Sequence, residues 1–284
     1  MRTALPRVAF LLASLTLVAH AAAADADLAS IQAAGEAIFA KDRAAWLATD
    51  RLAESDGGVP GDLLGWVTVP ADDGWQVFFV HERDGVYCTE LSVFVDDDGA
   101  GPLGRAESCG PLTSNRRAMF LARQTAASAL RERCSDSYNT VVLPYEGSEA
   151  DWTVYLLAAT VEPGRVVVGG HVRVLVGEGG TEVVDYRPLS KSCLVLTVPP
   201  PGEDRLESLV ATHVLDDHPI ETHVFLSLLN EVPFFVLTES ALWSVDQGEI
   251  RLLLDGEEFE AYMKKAKEEY ERSIGKDEDE TDDP

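Results

Sequence analysis

Three histidines fall five residues apart, His213, His218 and His223, with Asp216, Asp217 and Glu221 among them. Imidazole nitrogens and carboxylate oxygens form the donor set of zinc and copper sites, so this stretch is the first candidate for chemistry. Residues 208–215 and 221–229 read as strands joined by the turn Asp216-Asp217-His218-Pro219. In such a hairpin His213 and His223 approach each other on a diagonal, and these two are the candidate metal ligands. His218, in the turn, is expected to be solvated. The spacing matches no established metal signature, and H-E-x-x-H, which places two ligands on one helical face, does not occur.

Other chemistry is thinly represented. The chain has no G-x-S-x-G elbow, and Ser227 near His223 lacks an orienting acid. Asp96-Asp97-Asp98-Gly99 resembles part of a calcium loop, but Phe94 stands where the first ligand belongs, so a hairpin turn explains it better. Catalytic residues are not assigned, and no cofactor is expected. Trp75 and Trp152 are read as core anchors of their sheets.

The elements that position these residues follow from a repeat. Gly65-Trp66-Val67-Thr68-Val69-Pro70 followed by Trp75-Gln76-Val77-Phe78 lies over Asn139-Thr140-Val141-Val142-Leu143-Pro144 followed by Trp152-Thr153-Val154-Tyr155. Asp84-Gly85 and Pro163-Gly164 are turn signals in corresponding places. A long strand is expected after each, with a bulge at Gly169-Gly170-His171 in the second. Each copy closes on Ser-Cys, at Ser108-Cys109 and Ser192-Cys193. A helix precedes each copy. Residues 27–50 carry Leu28, Ile31, Ile38, Phe39 and Leu47 near helical spacing, and 115–131 carry Met119, Phe120, Ala127 and Leu130, with Ser114 placed as the cap.

The expected fold is α+β, with two tandem helix-plus-antiparallel-sheet units at 22–113 and 114–198. Beyond Pro199-Pro200-Pro201, residues 199–255 are expected to extend a sheet. Residues 256–284 read as a charged helix, with Glu260 and Lys264 at i,i+4 spacing, and an acidic disordered tail.

The four cysteines, Cys88, Cys109, Cys134 and Cys193, allow three pairings. The repeat favours one bridge per unit, 88–109 and 134–193. Loops of this size stabilise by roughly 3–4 kcal/mol each in the loop-entropy treatment.

Residues 1–21 have the form of an export signal: Arg2 and Arg7, an apolar run from Val8 to Val18, and Ala19-His20-Ala21 as an A-x-A cleavage pattern. A periplasmic or secreted protein without a stable membrane anchor is expected. The formal net charge is −26, and loss of the signal, which holds two arginines and no acid, makes it more negative. Nucleic acid and anionic lipid surfaces are poor partners for such a chain, since both are bound through Lys and Arg. A basic protein partner suits it.

The helix followed by Trp-x-Val-aromatic strands and a strand ending in Val95-Asp96-Asp97-Asp98-Gly99 resembles small exported modules of the PepSY or cystatin-like kind, through motifs that are generic for hairpins. No activity follows from that resemblance. The function expected is a non-catalytic binding or inhibitor-like module. The alternative is an envelope hydrolase or metal-dependent enzyme using the His213/His218/His223 region.

Overall fold

The structure, a computed structural model, describes the backbone of residues 9–160, 162–199 and 206–279, and side chains between 27 and 272 within those bounds. The expected cleavage pattern, most of the triple-proline run and residues 280–284 lie outside the described side chains. Helix α1 spans Ala9–Ala53, α2 Ser114–Ser128, α3 Glu221–Asn230 and α4 Gly256–Asp279. The first sheet holds β1 (Gly65–Ala71), β2 (Gly74–Arg83), β3 (Val86–Asp96), β4 (Gly99–Ala100) and β5 (Gly104–Pro111). The second holds β6 (Tyr138–Pro144), β7 (Trp152–Ala158), β9 (Val172–Gly177) and β10 (Glu182–Pro188), while β8 (Arg165–Val167) pairs with β11 (Val195–Thr197). The third holds β12 (Leu209–Thr212), β13 (Phe234–Leu237), β14 (Ala241–Asp246) and β15 (Glu249–Asp255). The class is α+β. Among the described residues no helix is long and apolar enough to cross a membrane.

The first two sheets share a register. Trp75 lies opposite Pro70 on one side and Val95 on the other. Trp152 lies opposite Pro144 and Val176 in the same way. At Asp84-Gly85 both residues have positive φ, 51° and 77°, as the turn joining β2 to β3 requires of a primed hairpin. The disulfides are Cys88–Cys109 and Cys134–Cys193, one in each helix-and-sheet unit.

Alternation along the strands explains the layers. On β2, Val77 and Phe79 meet Ala44, Ala48 and Leu52 of α1, whereas Phe78 and Val80 face α2. On β7, Val154 and Leu156 pack on α2, whereas Tyr155 and Leu157 join the core of the third sheet. With both faces covered, β7 is buried at every residue, and its sequence is accordingly apolar without alternation. Each large side chain buried there contributes about 1.5–3 kcal/mol.

Four expectations are corrected. Residues 221–230 form α3 rather than a strand, and β12 pairs with β13 in parallel. A parallel pair needs a crossover, which α3 supplies, and a hairpin at 216–219 would have made the neighbours antiparallel. The segment after 206 does not extend an existing sheet; it makes its own and shares a core with the second sheet and α1. The long strand expected after Gly164 is two strands. Gly169 and Gly170 carry the chain across between them, with no room for a side chain against Ser192 O and Cys134 Sγ. Finally, Thr113 rather than Ser114 caps α2, its hydroxyl accepting from Arg116 N at 3.4 Å.

Helix α4 extends to Asp279, so the first half of the tail expected to be disordered has helical backbone. Its i,i+4 ion pairs include Lys265–Glu269 and Lys267–Glu271.

Candidate binding cleft

The expected metal ligands do meet, by a route other than a hairpin. His213 follows β12 and His223 lies in the first turn of α3; their rings stand edge to face at 4.9 Å. His223 Nδ1 accepts the Ile220 N–H at 3.1 Å and so caps the helix, while its ring stacks on Phe234 at 5.2 Å. With Nδ1 accepting, the neutral ring carries its proton on Nε2. Burial, followed by the neighbouring His213 and His171, holds the His223 pKa well below the ordinary value. His213 Nε2 pairs with Asp216 Oδ2 at 2.9 Å, and Asp216 also takes Arg187. Burial works to raise the Asp216 pKa, but these two partners outweigh it and lower it. His218 is half-buried, with Nδ1 on Pro219 O and Nε2 3.5 Å from Asp27. Among the described residues no three His, Cys, Asp or Glu side chains are grouped to hold a metal ion.

A second polar group occupies the same seam and escaped notice in the sequence. Tyr155 of β7 donates to Glu221 Oε1 at 2.8 Å, and Arg173 of β9 reaches the same oxygen at 3.1 Å. Burial and the Glu221 charge push the tyrosine pKa up. For Arg173 burial works downward, but Glu221 and Tyr155 prevail and raise it. His171 accepts the Ala158 N–H on Nδ1 at 3.0 Å, and burial lowers its pKa to about 4. Ser227 is buried, its one hydroxyl proton shared between Val232 O at 2.9 Å and Val245 O at 3.0 Å. These groups fasten α3 between the second and third sheets.

An accessible cleft lies on another face of α3. With a volume of about 470 Å3, it opens between α1, α3 and the ends of β7 and β8. That is the size range of small-ligand pockets. Gly35 brings the two helices close: a Cβ there would come within 2.4 Å of Val224 Cβ. Apolar walls come from Phe225, Leu229 and Trp46, and Trp46 is 56% exposed. Two carboxylates line the cleft, Asp42 and Asp50, along with Arg165, whose charge is taken by Glu162 at 3.0 Å. Asp42 is the unusual one. It is only 9% exposed, and burial raises its pKa to about 6 against a partly opposing hydrogen bond from Asn139. A carboxylate so placed is ionised at neutral pH at a cost that a bound cation would offset.

Comparison with protein-family models, curated proteins and solved structures finds no match to this chain. The likeness to PepSY and cystatin-like modules therefore stays one of helix-and-hairpin pattern, and the reading of function rests on the cleft.

Proposed function

We propose that this chain is a non-catalytic binding protein that acts outside the cytoplasm and receives a cationic, partly apolar segment of a basic partner in the α1/α3 cleft. The observation that carries this reading is the buried Asp42 carboxylate beside the exposed Trp46 ring. A lysine or arginine side chain entering there would meet a poorly solvated negative charge at its head and an aromatic face along its stem. The net charge of −26 draws such a partner towards the surface. Export is supported by the form of residues 1–21 and by two disulfides, which persist in oxidising compartments. The shared Pro–Trp–Val register supports reading the first two sheets as copies of one unit.

The test is isothermal titration with a short peptide of alternating Lys and Leu, against the same peptide with Glu in place of Lys. The basic peptide should bind with 1:1 stoichiometry, and Trp46→Ala should weaken it about tenfold, the effect of about 1.4 kcal/mol. Equal affinity of the two peptides, or no effect of Trp46→Ala, contradicts the proposal.

A further inference from the structure

We propose a second binding site, selective for a small oxyanion, in the cleft that α2 forms with β6 and the chain leading into β1. This cleft has a volume of about 500 Å3 and is bordered by Leu64, Arg123, Gln124, Ser128, Arg133 and Thr140. Its sign is opposite to that of the molecule. With 49 acidic side chains against 23 basic ones, a half-buried arginine with no carboxylate partner among the described residues needs a physical reason.

Arg123 is that arginine. Burial alone lowers its pKa, to about 10, with no carboxylate acting on it, and it remains charged at neutral pH. Its guanidinium lies over the Trp66 ring, 4.2 Å from the centroid, and its buried Nε has no hydrogen-bond partner among the described residues. Only a glycine at position 65 admits it. That residue has φ of 146°, and a Cβ there would stand 2.2 Å from Arg123 Nη1. The aromatic face offsets part of the charge but satisfies none of the N–H donors.

Lys41 repeats the situation on the inner side of the same seam. Burial alone lowers its pKa to about 8, and its Nζ donates to Val142 O at 2.7 Å. It borders a small cavity of about 20 Å3 together with Arg123 and Trp66. Two cations without a carboxylate partner among the described residues thus share one seam, and exposed Arg133 adds a third at the cleft rim, its ring neighbour being Tyr138 at 5.4 Å. A guanidinium in poorly solvated surroundings pairs best with a planar or tetrahedral oxyanion, which takes two N–H donors at once. The ligand class is accordingly a small carboxylate or phosphate, with Arg123 as its primary contact and Gln124, Ser128 and Thr140 as neutral partners.

The experiment is isothermal titration of the full chain with succinate and with inorganic phosphate at constant ionic strength, with chloride as the reference. Saturable binding of either at about 1 mM is expected, a modest affinity near 4 kcal/mol. Preference for succinate identifies a carboxylate ligand and preference for phosphate a phosphorylated one. Arg123→Gln should weaken binding about tenfold. Ser128→Glu, an exposed change at the rim that puts a carboxylate into the cleft, should do the same if Arg123→Gln proves unfolded. Binding no stronger than that of chloride, or unchanged in Ser128→Glu, overturns the proposal. The basic-peptide result at the α1/α3 cleft has no bearing on either outcome.

Discussion

Asp42→Asn is the most informative single change, because the structure sets both the sign and the pH range of its effect. The folded-state pKa of Asp42 is raised from the ordinary 3.8 to about 6, chiefly by burial. A carboxyl with a raised pKa favours folding most when protonated, so its contribution is full below pH 3.8 and is lost as pH rises through 6. At roughly 1.4 kcal/mol per pH unit the interval amounts to about 3 kcal/mol, an upper bound because the cleft is open to water. Asparagine keeps an oxygen to accept the Asn139 hydrogen bond and carries no charge to bury. The variant should therefore match the parent near pH 4 and exceed it by about 2–3 kcal/mol at pH 8. Urea unfolding of both proteins at the two pH values, with disulfides intact, measures this directly. Taking the difference between variant and parent cancels every other titrating group. A variant less stable than the parent at pH 8, or a gain of equal size at both pH values, refutes the reasoning.

Acid should expose the histidines. His171 has its pKa lowered to about 4 by burial, so its share of stability is full above pH 6.5 and is lost as pH falls towards 4, about 3 kcal/mol in all. His171→Asn retains an acceptor for Ala158 N–H and should flatten that acid limb in urea melts, whereas an unaltered limb counts against the assignment. Glu221→Leu leaves Tyr155 and Arg173 without their shared oxygen and should cost about 3–5 kcal/mol. Adding Arg173→Met should restore much of that loss, and a double variant no better than the single one speaks against the pairing.

Much of the frame was legible because local rules and tertiary packing agree there. The Trp75 and Trp152 strands, the Asp84-Gly85 turn and both disulfide pairs follow from spacing and turn chemistry. Helix α3 was misread because Glu221 to Ser227 are buried without interruption. A segment covered on all sides has no period to reveal whether it is helix or strand. The parallel pair β12/β13 was hidden for the same reason, since its evidence is the crossover itself. His213 and His223 were brought together correctly, but through helix capping rather than a hairpin. Tyr155 and Glu221, 66 residues apart, gave no local sign of contact. Asp42 did give one: it sits on the stripe of α1 that carries Ile38 and Ala45, where a carboxylate conflicts with its neighbours. Such a conflict between local pattern and burial is where function is most often found.

We propose that the Asp42 carboxylate is held in its cleft to receive a cation. The most direct measurement is the affinity of the alternating Lys/Leu peptide for the parent and for Asp42→Asn, at pH 5 and pH 8. The parent should bind more tightly at pH 8, where Asp42 is ionised, by about tenfold. The variant should bind weakly and equally at both pH values while being the more stable protein at pH 8. Peptide affinity that survives Asp42→Asn unchanged at pH 8 would contradict a cation-receiving role for this carboxylate.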